Sequence, residues 1–222
     1  VAAGGATILR LSKAAFDQMQ VKSSVAGMSV LFAMIRTSSE RIRRLSAQVV
    51  VYDEVGKAIG ESRDLQTLLD VILQQLSMAT FADWGLLLLR SQFSDRLELR
   101  GEANLTLTST QREAVINTQG FLGPVFQNPR DQLVATFDAE EPFKSCPRLG
   151  FETASLLLSP ITVEGQTLGL IVLGGNEHDQ FDLNGLNLVR GVARQAAQAI
   201  LNARHREEEQ ARSRHSRQFV RF

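Results

Sequence analysis

The sequence predicts an α+β fold in which an antiparallel sheet is flanked by helices, with a long helix before the sheet and another after it. Three observations predict it. The apolar pattern runs helix, strand, strand, helix, strand, loop, strand, turn, strand, long helix, an order that favours an antiparallel sheet over repeated βαβ units. Glu164-Gly165, between two apolar runs, reads as a tight hairpin whose glycine supplies a positive φ. Apolar residues also recur at alternating steps of three and four from Met28 to Ile59, the repeat of a helix with a seam for a partner.

Residues 6–11 are a short β-prone run, and Ser12 caps a helical stretch carrying Phe16. After a break over 20–24 the long helix carries Met28, Leu31, Ile35, Ser38, Ile42, Leu45, Val49, Tyr52, Gly56 and Ile59 in its stripe. Only Ser38 and Gly56 interrupt it, and at 1.5 Å per residue the stripe is roughly 45–50 Å long. Met28, Leu31, Ile35, Ile42, Leu45, Val49 and Tyr52 are the expected contacts with a second copy. The other reading is two shorter amphipathic helices, because Val49, Val50, Val51 and Gly56 all lower helicity.

Gly60 is expected to stop this helix, and Ser62 or Asp64 to cap the next. Leu65, Leu68, Leu69, Ile72 and Leu76 mark that helix's core face. Residues 85–89 are apolar without alternation, as in a strand covered on both faces. Residues 97–100 alternate, as in a half-exposed neighbour. Thr108 or Ser109 caps a helix over 110–118, and residues 133–137 read as a strand. Pro142 and Pro147 confine 140–150 to a loop or a short helix. Residues 154–158 and 161–163 form a strand bent at Pro160, which returns through 167–173. The last helix starts near Asp182 or Asn184 and carries Leu186, Val189, Ala193, Ala196, Ile200 and Ala203; beyond Arg204 it becomes a charged tail.

At 222 residues the chain can hold one large domain with helical appendages. Lys+Arg and Asp+Glu both total 24, so there is no overall electrostatic footprint for nucleic acid. A single cysteine excludes a disulfide framework and a multi-cysteine zinc site, and three histidines make a histidine-built metal centre improbable. No apolar run approaches the roughly 18–20 residues of a membrane helix. Residues 1–5 lack the basic and apolar regions of a signal peptide. The expectation is a piece of a longer cytoplasmic protein that touches neither nucleic acid nor membrane.

Residues 49–203 resemble a GAF domain, the small sensory module of signalling proteins. The resemblance rests on residues 65–76 as opening helix, residues 84–89 as first strand, and Ser155-Leu156-Leu157-Leu158-Ser159-Pro160-Ile161. It continues through Glu164-Gly165-Gln166-Thr167-Leu168-Gly169-Leu170-Ile171-Val172-Leu173, Phe181, Leu186 and residues 200–203. Residues 6–45 are similar to the last strand and helices of a cyclic-nucleotide-binding domain, through residues 6–12, Phe16 and Glu40-Arg41-Ile42-Arg43-Arg44-Leu45. That family's phosphate-binding segment would precede residue 1. The chain then divides into a remnant of the upstream domain (1–24), a connecting helix (25–60), the GAF domain (61–203) and a charged helical tail (204–222).

The GAF resemblance implies a small ligand between the sheet and the loops around its third strand. Here that places Phe126, Phe137, Asp138, Phe143, Leu149, Thr153 and Ser155 around it, with Trp84 at the rim. These residues are mostly large and apolar, so a filled, ligand-free core is the competing expectation. Cys146 is followed by Pro147, where bilin-binding relatives usually carry His, and is read as an inert loop cysteine. Asn176 and Phe181 match the cyclic-GMP-binding motif, but Glu177 stands where Lys should be and Asn184-Gly185 where the acidic pair should be. His178, and the acids Asp138, Glu140 and Glu141, are read as exposed loop residues, so no catalytic residue, metal ligand or particular cofactor is assigned. Two functions are expected: a non-enzymatic sensor that relays its state through helices at both ends of a homodimer, or a ligand-free dimerisation spacer.

Overall fold

The structure, a computed structural model, describes residues 11–61, 64–91, 96–117, 122, 125, 128–141, 143–145 and 150–219; within these it describes all side chains except those of 40, 41, 43–45, 47, 145 and 207–219. The chain falls into two compact units, Val1–Ala47 and Gln48–Phe222. The expected strand over 6–11 lies almost wholly outside the described residues.

In the first unit Ser12 caps helix α1, Lys13–Lys22, its hydroxyl accepting the Ala15 N–H. Ser23 leaves the helical conformation, and its hydroxyl accepts the Ala26 N–H at 3.4 Å, so one serine ends α1 and helps start α2, Ser24–Glu61. Helix α2 is one element running through Gly56 and Gly60, not two shorter helices. The reason lies in the second unit, where Val51 and Val55 are buried in its core. Each such burial contributes about 1.5–3 kcal/mol, which outweighs the few tenths that a β-branched residue costs a helix.

The second unit is built on a five-stranded antiparallel sheet of order β2-β1-β5-β4-β3. Its strands are β1 Trp84–Arg90, β2 Leu97–Ala103, β3 Gln132–Val134, β4 Ser155–Val163 and β5 Gln166–Gly175. Alternation sorts their leucines. Leu87, Leu89, Leu157, Ile161, Ile171 and Leu173 face a core shared with α3 (Leu65–Thr80), the last helix α5 (Leu183–Phe219) and the end of α2. Leu86, Leu88, Leu156, Leu158, Leu170 and Val172 face a second core with Val115 of α4 (Ser109–Ile116), Leu122, Val125, Phe137 and Phe143. Helix α4 starts with a capping box between Thr108 and Gln111.

Strand β4 is continuous through Pro160, where the sequence predicts a bend. Pro160 pairs with Leu170 of β5 but lies past Leu158, the last residue to pair with β3. A missing N–H is tolerated on such a free edge. Glu164 and Gly165, at φ 49° and 82°, close the β4–β5 hairpin in the conformation two-residue turns require. On α5, Leu188, Val189, Val192, Ala193, Ala196, Ala197, Ile200 and Ala203 are buried in the unit's own core, so the apolar stripe of the last helix is used within the domain as far as Ala203. Among the described residues no helix is long and apolar enough to cross a membrane.

Asp64 is the N-cap of α3; its carboxylate accepts the Thr67 N–H at 2.8 Å and the Thr67 hydroxyl at 2.7 Å. Those bonds hold its carboxyl below the usual value of 3.8. Because the folded value is the lower one, the cap contributes stability above the unfolded value and loses it as pH falls through the folded value. Asp64→Ala is therefore expected to lower Tm most near neutral pH, with the gap to the native chain closing on acidification, as read by thermal denaturation across a pH series.

Candidate functional site

The face of the sheet turned away from the long helices carries the residues expected around a ligand. Trp84 opens β1 and is buried, its indole N–H donating to the Glu152 carbonyl at 3.2 Å. Its ring meets Phe151 edge-on, with centroids 5.0 Å apart and planes at 85°, a favourable arrangement for two aromatic quadrupoles. The ring lies over Gly174, its cross-strand partner in β5, where any Cβ would overlap the indole. The glycine at 174 is therefore what admits the tryptophan.

Phe137 and Phe143 are both buried, their rings 5.8 Å apart and tilted by 37°. The turn between them is tied down at several points. The Phe137 N–H donates to the Ala154 carbonyl at 2.8 Å, the Thr136 N–H to Glu140 Oε1 at 2.9 Å, and the Lys144 N–H to the Glu140 carbonyl at 2.9 Å. Glu140 is thus a bracket of this turn. Asp138 points outward and is exposed.

Thr153 sits between Glu152, which accepts the tryptophan N–H, and Ala154, which accepts that of Phe137. Its Oγ1 is buried and, among the described residues, has no hydrogen-bond partner. Leaving a hydroxyl so costs about 1–3 kcal/mol. Ser155 is buried too, but strand alternation puts it on the helix side with Leu157, and its hydroxyl is committed to the Glu177 carbonyl at 2.7 Å. The structure thus brings Trp84, Phe137 and Phe143 together in one core and leaves Ser155 and Asp138 apart from them, with Thr153 in the backbone segment whose flanking carbonyls bind that core. Phe126, Leu149 and Cys146 lie outside the described residues.

Two arrangements escaped sequence reasoning. Asp83 Oδ2 accepts the Asn176 N–H at 2.8 Å and the Gln180 side-chain amide at 3.1 Å, which fastens the loop after β5 beside the start of β1. Asn176, the residue matching the cyclic-nucleotide motif, thus spends its backbone N–H on this lock. Phe181 is a buried core residue and His178 is exposed. In the second arrangement the fully buried Ser159 hydroxyl donates to Asp131 Oδ1 at 2.6 Å, with Arg190 of α5 at 3.8 Å from the other oxygen. Neither arrangement has a sequence signal, since the partners lie 93, 97 and 28 residues apart. Among the described residues no three His, Cys, Asp or Glu side chains gather as metal ligands.

The expected dimer contacts divide. Met28, Ile35, Ile42 and Val49 are exposed, and Leu31 is half-buried. Tyr52 turns toward its own domain, its hydroxyl filling the space that Gly191 of α5 leaves, and Gly56 lies beside Gln195. The side chain of Leu45 is outside the description.

The model of the GAF domain family matches residues 64–200, and the chain belongs to that family, a common fold of signalling sensors. No curated protein matches it in sequence. Solved structures match in shape. The GAF domain of a phosphoenolpyruvate-protein phosphotransferase from Coxiella burnetii superposes with a TM-score of 0.62 at 20% identity, over 73% of this chain and 98% of that one. The free methionine-R-sulfoxide reductase from Neisseria meningitidis, solved with its substrate, gives 0.58 at 16% identity over 71% and 92%. Residues 122 to 287 of a methyl-accepting chemotaxis protein give 0.51 at 15% identity over 67% of this chain and 96% of that one. At these identities the likeness is one of fold.

Gly174→Ala is expected to push Trp84 off β5. As Trp84 is the chain's one tryptophan, its emission should shift to the red, with a loss of about 1–3 kcal/mol in urea denaturation. An unchanged spectrum would contradict the packing described.

Proposed function

We propose that the chain is a non-enzymatic regulatory module of a cytoplasmic signalling protein, in which a GAF domain takes a small molecule on its Trp84 face and passes the change through α2 to a second copy and an output domain. The observation that carries this reading is the series Met28, Ile35, Ile42 and Val49, exposed by 49, 60, 64 and 68% and spaced seven residues apart. That is the spacing a partner helix needs, and it lies on the helix that buries Val51 and Val55 in the GAF core. A helix belonging both to a core and to a seam can transmit a shift, provided the ligand binds the two helix positions with different affinity. Pairing of α5 would begin beyond Ala203, since its earlier stripe is already covered. The first unit is read as the end of a cyclic-nucleotide-binding-type domain, on the resemblance of residues 6–45.

The chemistry of the Trp84 face supports binding over catalysis. It offers aromatic and aliphatic surface, with Trp84, Phe137 and Phe143 gathered among leucines and valines. A single cysteine cannot close the intramolecular disulfide of a thiol-based reductase cycle. A second reading, a ligand-free spacer, is favoured by the Trp84–Phe151 and Phe137–Phe143 contacts that fill this face. Thermal-shift screening against cyclic nucleotides, haem, bilins and metabolites separates the two, since a ligand of the folded state raises Tm by mass action. Ile35→Asp combined with Ile42→Asp is expected to leave the GAF domain folded and to turn a dimer into a monomer in sedimentation velocity. A native chain that sediments as a monomer at micromolar concentration overturns the dimeric relay.

A further inference from the structure

Of the chain's asparagines only Asn184 is followed by glycine, and it lies exposed in the first turn of α5. Glycine has no Cβ to shield its backbone nitrogen, so little hinders the Gly185 nitrogen from the Asn184 carboxamide beside it. Closing a ring between groups already joined by covalent bonds also loses little freedom. In the folded chain one carboxylate holds both groups. Asp182 Oδ1 accepts the Gly185 N–H at 2.9 Å, and Oδ2 accepts the Asn184 side-chain amide at 3.1 Å. N–H groups of a helix's first turn have no carbonyl of their own helix to meet, so this bond to Asp182 takes the place of the missing ladder. We propose that Asn184 is a site of spontaneous deamidation and that Asp182 is its guard, so that conversion proceeds only when the first turn of α5 opens.

Once the turn opens, the Gly185 nitrogen loses its proton to solvent and attacks Asn184 Cγ. The new N–Cγ bond forms, the Cγ–Nδ2 bond breaks, and the amide leaves as ammonia with a proton from water. A second water then adds to either carbonyl of the succinimide ring and opens it to aspartate or isoaspartate, with nothing oxidised or reduced. Aspartate exchanges the amide donor facing Asp182 for a second negative charge. Isoaspartate runs the main chain through the side-chain carbon and breaks the helical repeat. Gly185 lies beside Thr80 of α3 and Leu157 of β4, a Cβ there meeting them at 3.7 and 3.5 Å. The change therefore falls where α5 joins α3 and the sheet. The site uses nothing of the Trp84 face or the α2 seam, and its failure leaves the sensor reading untouched.

The test ages the full chain in mildly alkaline buffer and follows each asparagine by peptide mass spectrometry, with circular dichroism to confirm that each variant is folded. Asp182→Ala is expected to speed conversion at Asn184 about tenfold, as loss of a helix cap predicts, and to leave the exposed Asn187 unchanged. Asp182→Ser keeps an oxygen that can accept the Gly185 N–H and should stay near the native rate; it stands as the second variant if Asp182→Ala fails to fold. Gly185→Ala, whose Cβ meets only ordinary contacts, should abolish conversion at Asn184. Equal rates in the native and Asp182→Ala chains overturn the proposal, as does a folded Asp182→Ser chain that converts about tenfold faster than the native one. Conversion no faster at Asn184 than at Asn187 in the urea-unfolded chain overturns it as well.

Discussion

Everything in the second unit hangs on the pairing of β5 with β1 on one side and β4 on the other. These three strands alternate leucine, isoleucine and valine onto both faces, so a single register sets two apolar cores at once. A slip of one residue would exchange the faces, moving Leu87 and Ile171 away from α3 and α5 and bringing Leu86 and Val172 in their place. The close contact of Trp84 with Gly174 resists the slip that would bring Leu173 opposite the indole, because only a glycine there lets the strands approach. The core under the helices and the core around Trp84 are therefore aligned by the same hydrogen-bond ladder.

Helix α2 adds a second coupling. Within about two turns it changes from a surface carrying exposed Val49 to a core element carrying Val51 and Val55. Tyr52 against Gly191 and Gly56 beside Gln195 bring α2 and α5 close at two successive turns. Any rotation of the C-terminal turns of α2 would have to displace those contacts.

Much of this was legible in the sequence, because periodicity reports burial directly. The unbroken apolar run of β1 announced a strand covered on both sides, and the spacing of Leu65, Leu68, Leu69, Ile72 and Leu76 announced a helix with one core face. The spacing of Met28, Ile35 and Ile42 announced the exposed stripe, but at Tyr52 and Gly56 the same pattern meets the molecule's own last helix, a tertiary fact no local pattern contains. Pro160 misled for a related reason. Its cost depends on whether a neighbouring strand needs its N–H, and β3 stops short of it. Among the residues expected around a ligand, large aromatic types were readable as a cluster, whereas the alternation that turns Ser155 to the opposite face depends on where β4 starts. The carboxylates of Asp83 and Asp131 were beyond reach, their partners being far along the chain.

The shortness of β3 has a consequence of its own. Among the described residues no strand pairs with the outer border of β4 beyond Leu158, and a bare border of that kind invites a stranger's backbone to zip alongside and seed fibrils. Pro160 stands on that stretch with no amide hydrogen to offer, and the register irregularity between Ile161 and Thr162 twists the ribbon just after it. The residue that looked like a break in a strand thus serves as a guard against unwanted growth of the sheet.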